Sequence, residues 1–480
     1  MHFYVTGWAD SLEYNYENGE VYMPAQLTYG GMVLDSIGVR YKGHSSYMLS
    51  RNTPKKPLKF KFDKYRKDQT FFGLNRLNFS NCVQDPSFMR EAISYNIARQ
   101  YMPAPRTAYA NIYIEGELIG FYVQVEQVDK IFLKRYFEDN GFNLYKSSDD
   151  GANLEYRGAN QSVYESELEL KTNEDLNDWS RLITMIDKLN NTPASAFVDT
   201  MQNYLNLDNC IRHLAFNMVL SHFDSYTGSG RNFYLYDDKV SGQFNIIPWD
   251  FNETFGAYTN NWDVITQDVV NVSNLIQRPL NKRILENDSL KQVYLNYISK
   301  MINSPASYDS IAARVDRIKS LIDSCVNADN NKLYSYQNFI DNIENDVYVG
   351  IGMLVPGIKS FSQKRNASLQ AQIAQYIATS VQPENSVPNQ FILHKNYPNP
   401  FNPYTKIEYE IPIVTKVTLK IYNILGQEIK TLVDHEQKTG NYKIFWDGTN
   451  NYNIQVSSGL YIYQIRAGKF IQSKKMILLR

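Results

Sequence analysis

The chain has 480 residues, a length that suggests two or three domains. Its formal net charge is −1, from 49 Lys and Arg against 50 Asp and Glu, which leaves no electrostatic footprint for nucleic acid or an anionic membrane surface. Cys82, Cys210 and Cys325 cannot all pair and their spacing suits no zinc site, so core thiols are expected, and no apolar run approaches the roughly 20 residues of a membrane span.

In chain order, Gly38–Tyr41 reads as a strand running into a small polar loop, Lys42-Gly43-His44-Ser45-Ser46. Backbone N–H groups and hydroxyls in such a loop can meet phosphate, with Lys42 and Ser45 as candidates; an exposed hairpin is the equal alternative. Leu58, Phe60 and Phe62 then alternate with Lys59 and Lys61, a half-buried strand with one cationic face. Lys59 is taken as a phosphate-binding lysine, although Lys56 and Lys61 serve nearly as well and a solvated face is the plain alternative. Asp85–Glu91 opens a helix with Ile93, Ile97 and Tyr101 on one side. Glu91 can pair with the lysine, or simply complement the helix dipole. Ala110–Ile114 and Gly120–Glu126 form a hairpin, and Glu126 closes it where a hinge to the next lobe would lie.

Leu207, Ile211, Leu214 and Met218 mark one face of a helix expected to end near Leu220. Asp224 falls in the following loop, Asn232 opens an aromatic strand, Asp237–Gly242 turns, and Phe244–Ile247 returns to Asp250. The order helix, Asp loop, Asn, hairpin, Asp-Phe is that of the protein-kinase large lobe. By that order Asp224 orients the acceptor hydroxyl and takes its proton, while Asn232 and Asp250 hold Mg²⁺ or Mn²⁺, hard cations served by few protein oxygens. The Asp224–Asn232 spacing exceeds the usual catalytic loop, and Asn252 replaces the Gly of Asp-Phe-Gly. Asn tolerates a left-handed backbone, so the second departure is soft. His222 is expected to hydrogen-bond within the loop. Tyr258–Trp262 either meets the acceptor or packs as a loop. Ile311, Val315, Ile318 and Ile322 give another helix, and 366–377 a further one.

Together Val39–Ser46, Lys55-Lys56-Pro57, Arg90-Glu91, Gly120-Phe121-Tyr122 with Glu126, Asn143–Lys146, the Asp224–Asn232 loop and Pro248-Trp249-Asp250 resemble the CotH-type spore-coat kinase family. The resemblance implies an α+β, atypical protein-kinase-like domain over 1–378, with a small lobe of about 1–130 and a large lobe of about 131–378. It implies ATP and a divalent metal as cofactors, and secreted or surface proteins with exposed Ser or Thr as substrates. By position it makes Asp224 the catalytic aspartate and Asp250 the metal aspartate.

A linker is expected over 379–390, then a small all-β, immunoglobulin-like sandwich over 391–480. Its strands are expected at Thr405–Ile411, Lys416–Tyr422, Tyr442–Trp446, Gly459–Ala467 and Lys474–Leu479, with turns at Asn423–Gln427 and Asp447-Gly448. Asn396–Pro403, Tyr422–Gly426, Gly459-Leu460-Tyr461 and the basic end resemble a type A sorting domain of type IX secretion. That resemblance implies partnership with the secretion machinery and a secreted or outer-membrane-surface location; a carbohydrate-binding or adhesive module is the alternative. The 37 tyrosines fit a β-rich exported protein. No signal peptide is visible at Met1–Val5, so a late start of the chain is expected. Two other functions stand beside the kinase: an inactive kinase-like scaffold or adhesin, and transfer of phosphate or AMP to a non-protein acceptor.

Overall fold

The structure, a computed structural model, describes residues 1–259, 262–271, 277–349, 353–380 (backbone alone for 377–380), 390–452 and 454–479. Residues 381–389 of the expected linker, and Asn260 and Asn261 of the Tyr258–Trp262 segment, lie outside the described residues. The chain divides into two compact units, Met1–Asn287 with Tyr294–Gln372, and Asp288–Val293 with Ile373–Arg480.

The first unit mixes sheet and helix. Its larger sheet has seven antiparallel strands: β1 (His2–Phe3), β2 (Met23–Tyr29), β3 (Met32–Tyr41), β4 (Leu58–Lys61), β5 (Arg76–Ser80), β6 (Thr107–Ile114) and β7 (Glu117–Glu126), in the order β1-β2-β3-β4-β5-β7-β6. The period-2 pattern sets its faces. Val39, Leu58, Phe60, Leu77 and Phe79 point into one core with Leu12 of α1 (Trp8–Glu17), while Arg40 and Lys59 stand opposite one another on the other face. The segment after β3 is not the expected loop: His44–Ser50 is a short helix, α2, anchored by the buried ring of Tyr47. Three hydroxyls and a glycine suggest a loop by composition, and packing overrides them.

α3 (Arg90–Ala98) is nearly all buried, and its start is fixed by Asp85, whose carboxylate accepts N–H bonds from Ser87 and Arg90. α4 (Lys130–Tyr136) follows β7 at once. A second sheet is built from β8 (Leu144–Ser147), β9 (Leu168–Leu170), β10 (Phe233–Asp238) and β11 (Gln243–Pro248), in the order β11-β10-β8-β9. α5 (Ser180–Asn191), α6 (Phe197–Met201) and α7 (Leu207–Val219) lie between β9 and β10 in the chain.

α7 is buried on almost every side, so it carries polar residues that must be met inside the protein. Asn209, His213 and Asn217 form that stripe at four-residue spacing. Asn209 Oδ1 accepts the Ile246 N–H at 2.8 Å, and Asn217 Nδ2 donates to Thr227 Oγ1 at 3.2 Å. The helix is thereby pinned both to β11 and to the loop that carries Asp224. It ends at Leu220, as the periodicity expects. α8 (Pro279–Glu286), α9 (Asp288–Ile302), α10 (Tyr308–Ala328), α11 (Tyr336–Glu344) and α12 (Ile358–Ser380) follow, with residues 379 and 380 of the expected linker inside α12.

Residues 392–478 form two antiparallel sheets. One holds β12 (Ile392–Leu393), β13 (Thr405–Ile411) and β14 (Gly440–Trp446); the other holds β15 (Thr415–Asn423), β16 (Glu428–Gln437), β17 (Gly459–Ala467) and β18 (Phe470–Leu478) in the order β16-β15-β17-β18. Alternating Ile407, Tyr409 and Ile411 meet Val417, Leu419, Tyr463 and Ile465 in one core around the fully buried Trp446. β16 was not expected from the sequence. It is an edge strand with Val433 and Gln437 as its buried residues, so it lacks the period-2 signal of its neighbours.

Candidate functional site

Two features of the β10–β11 hairpin place the site. Phe233 pairs with Pro248 at its open end, Asn232 lies just before that pair and Asp250 two residues after it, and both line one cleft. Both have left-handed backbones, φ 57° and 54°, and the Trp249 N–H donates to the Asn232 carbonyl at 3.0 Å. Asn is among the few residues that accept this conformation readily; for Asp250 it turns the carboxylate away from the strand direction, and the Tyr95 hydroxyl accepts its N–H at 3.0 Å. Asn252, expected to supply the left-handed turn, is not among the positive-φ residues; Asp250 takes that conformation instead.

The long loop from Asp224 to Asn232 is wound on itself. The Ser229 N–H donates to the Phe223 carbonyl, and the Gly228 and Gly230 N–H groups both donate to that of Ser225. A Cβ on Gly228 would stand 2.1 Å from the Phe223 oxygen, so glycine is obligatory there. The winding absorbs the extra length and returns Asn232 to Asp224: its Nδ2 donates to Asp224 Oδ2 at 2.7 Å and to the Asp224 carbonyl at 2.8 Å. Asp224 Oδ1 is buried and has no hydrogen-bond partner among the described residues. Trp262 stacks on Phe223 at 4.2 Å, which steadies the residue before Asp224. His222 does not bond through its ring as expected. The ring is fully buried against Phe251 with neither nitrogen partnered among the described residues, and the His222 carbonyl accepts the Ser225 hydroxyl. Burial holds its pKa down to about 3, so it is neutral.

Asp224, Asn232 and Asp250 line one cleft of about 1350 Å³, together with Lys42, Ser45 and Lys59 from the larger sheet and α2. Glu91 lies just behind, in a cavity of about 20 Å³ shared with Lys42, Asp250 and Asn252. The expected Lys59–Glu91 ion pair is absent among the described residues, and Glu91 Oε2 is buried without a partner. The lysine whose charge bears on Glu91 and Asp250 is Lys42. Glu126 is not in the cleft at all. Arg106 and Arg135 clamp its buried carboxylate, with contacts of 3.0 and 2.5 Å; Gln127, Val128 and Asp129, next in the chain, line the cleft instead. Burial pushes the Glu126 carboxyl up, but the two arginines outweigh it and hold the pKa below the ordinary value.

Four carboxylates of the site have the opposite balance. Burial raises the pKa of Glu91, Asp224, Asp250 and Glu253, and the Asp250 charge adds to it for the other three. Glu253, which the sequence reading did not single out, reaches about 8. Gln84 connects it to the β5–α3 segment by donating to Glu253 and accepting from Asn252 at 3.1 Å. Elsewhere in the lining of the same cleft the imbalance reverses. Burial depresses Lys59 well below the ordinary lysine value, and Arg40, Arg76, Lys42 and Lys146 depress it further. Lys146, on β8, also draws Asp250 down and is a second site residue the sequence reading passed over.

The family motifs outside the cleft have structural work. Lys55 forms a fully buried ion pair with Asp329 at 2.7 Å, and Asp329 also accepts the Phe121 N–H at 2.9 Å. Lys55 passes over Gly120, where a Cβ would stand 2.9 Å from its side chain. Arg90 likewise binds Asp85 at 2.6 Å and Asn342 at 3.0 Å. Among the described residues no group of three or more His, Cys, Asp or Glu is arranged as a metal cage, and no helix is long and apolar enough to cross a membrane.

The model of the CotH kinase protein family matches residues 39–380, and that of the FlgD Ig-like domain matches residues 406–469. The inner spore coat protein H of Bacillus subtilis (strain 168) is 26% identical over 264 residues, which cover 53% of this chain and 70% of that protein. Among solved structures, latent PorU of Porphyromonas gingivalis is 20% identical over 20% of this chain and 10% of its own, with a TM-score of 0.17. PorZ of the same organism, a surface component of its type-IX secretion system, is 17% identical over 18% and 11%, with a TM-score of 0.15. FlgD of P. aeruginosa is 13% identical over 19% and 74%, with a TM-score of 0.14. Likeness at this level fixes neither fold nor activity.

Proposed function

The chain belongs to the CotH kinase protein family, and from that premise we propose that it is an atypical, two-lobed protein kinase that transfers the γ-phosphoryl group of ATP to Ser or Thr hydroxyls. One observation carries the reading: a single cleft holds under-neutralised carboxylates beside under-neutralised cations. A metal-bound polyphosphate supplies what each group lacks. The volume of about 1350 Å³ exceeds the roughly 300–1,000 Å³ of an ordinary ligand pocket, leaving room for an acceptor beside a nucleotide.

The donor set fits Mg²⁺ or Mn²⁺. Asp250 and Asn232 offer hard oxygens at one hairpin end, and such ions take their remaining ligands from water and phosphate, so a full protein cage is not required. When bound, the ion neutralises charge on the phosphate oxygens. Asp224 has one oxygen fixed by Asn232 and the other free to accept the proton of the attacking hydroxyl; burial and Asp250 raise its basicity. Lys42 and Lys59, with Ser45, hold the phosphates, and Gln127–Asp129 border the nucleotide.

Incubation with ATP and Mg²⁺ or Mn²⁺ plus a Ser/Thr peptide, read by intact mass, tests this. The parent adds a phosphate mass, Asp250→Ala loses metal-dependent nucleotide binding, and Asp224→Ala binds but does not transfer. An AMP-sized gain would favour nucleotidyl transfer. No gain and no ATP binding would leave the inactive scaffold. We further propose that residues 391–480 act as a type IX sorting domain and place the protein on the cell surface or outside it. The motif at Asn396–Pro403 supports this reading, and fusion of 391–480 to a periplasmic reporter in a type IX-competent cell tests it.

A further inference from the structure

The loop between Asp224 and Asn232 carries one cation, Arg231. Several other arginines of this unit are committed, Arg90 to Asp85, Arg135 to Glu126, Arg181 to Asp237 and Arg212 to Asp208, while Arg76, on the sheet side of the same cleft, shares with Arg231 the lack of an ion pair among the described residues. Arg231 is exposed and lines the cleft, and its guanidinium has no ion-pair partner among the described residues. Its backbone is nevertheless tightly held. Its N–H donates to Ser229 Oγ at 3.2 Å, and the next residue is Asn232, bonded to Asp224. On the other side Gly230 is hemmed in: a Cβ there would meet Arg278 Nη2 at 3.0 Å and the Ala152 carbonyl at 3.1 Å. A long, unpaired cation on a rigid stalk beside the base is an arrangement the fold alone does not explain. Arg231 also lowers the pKa of both Asp224 and Glu253, so its charge is felt at the reacting end of the cleft.

We propose that Arg231 is a catalytic residue that donates hydrogen bonds to the phosphoryl group as it is transferred. The inference rests on the phosphotransfer reading above. In that step the acceptor oxygen bonds to the γ-phosphorus, and the bond from that phosphorus to the β,γ-bridging oxygen breaks. ADP leaves with the electron pair, and the hydroxyl proton passes to Asp224. Negative charge is spread over the non-bridging oxygens throughout. A planar guanidinium can span two of them, which a lysine ammonium cannot match. The cation approaches from the loop that bears the base, whereas Lys42 and Lys59 come from the opposite sheet.

The test uses the full chain and its Arg231→Ala and Arg231→Lys variants, with MgATP affinity and transfer to a Ser peptide measured separately. The expected result is a fall in kcat of about 100-fold or more for Arg231→Ala. MgATP affinity and peptide KM should stay within about threefold of the parent, and Arg231→Lys should recover part of the rate. Because the side chain is exposed, the urea midpoint should not move. Arg231→Ala transferring at the parental rate would overturn the inference and leave the kinase reading intact. So would a loss confined to peptide KM, which would make Arg231 an acceptor contact. A parent that neither binds MgATP nor transfers phosphate would overturn both.

Discussion

Two sets of carboxylates in the first unit, each wholly or partly buried, have the same chemistry and opposite fates. Asp85, Glu126 and Asp329 are each met by a cation, and each accepts from two or more donors. Glu91 and Glu253 are buried and Asp224 and Asp250 half-buried; desolvation raises the pKa of all four, the Asp250 charge raises that of the other three, and Asp224 Oδ1 and Glu91 Oε2 have no hydrogen-bond partner among the described residues. A folded chain readily neutralises a buried acid when only stability is at stake. Leaving four of them under-neutralised is costly, and is the mark of groups kept ready for something that binds. The difference separates scaffold from site among residues that look alike in the sequence.

Breaking the scaffold set should cost the most stability. Asp329→Ala strands the buried Lys55 charge and should lower unfolding free energy by about 3–5 kcal/mol, measured by urea denaturation. Replacing both partners, with Lys55→Met and Asp329→Leu, should recover much of that loss. The site set should respond in reverse. Asp224→Ala should reduce transfer by about 100-fold or more with little loss of stability, and by relieving repulsion should leave the urea midpoint equal or higher. A variant that loses activity and stability together would place Asp224 with the scaffold.

How much of this contrast the sequence carried depends on how local each contact is. Asp224, Asn232 and Asp250 are readable because one loop and one hairpin bring them together, and their order along the chain survives in the motif. Glu126 is misread because its partners arrive from separate segments, Arg106 before β6 and Arg135 on α4, and nothing near Glu126 announces them. The Lys59–Glu91 pairing fails for a related reason. Alternation tells which face of β4 a lysine occupies, but not which carboxylate lies across the cleft. Lys146 and Arg231 lie inside the family motifs without a role there, and Glu253 lies outside them; all three become visible through the cleft they share. In the tail, strands with a buried alternating face were legible and the polar edge strand β16 was not.

Smaller effects sharpen the same contrast. His213 is buried and neutral with a pKa near 3, against an ordinary value of 6.5. The unfolded chain binds the proton that the folded chain refuses. Stability is therefore fully present above pH 6.5 and is lost as pH falls from there toward 3, by about 1.4 kcal/mol per unit for each such ring. Urea unfolding of the parent and His213→Gln between pH 6.5 and 5 should show a slope smaller by about one proton in the variant; equal slopes would mean that the ring is not buried neutral. Gly120→Ala should cost about 1–3 kcal/mol by crowding Lys55, without changing nucleotide binding. Glu126→Gln should leave MgATP affinity within about twofold, because its side chain faces arginines rather than the cleft.

The central claim is that the under-neutralised carboxylates await a metal-bound nucleotide. The most direct measurement is a titration of the full chain with Mn²⁺ in the presence and absence of ATP, beside Asp250→Asn and Glu126→Gln. The account predicts ATP-dependent Mn²⁺ binding in the parent and in Glu126→Gln, and its loss in Asp250→Asn. Equal binding in all three, or none in the parent, would contradict it.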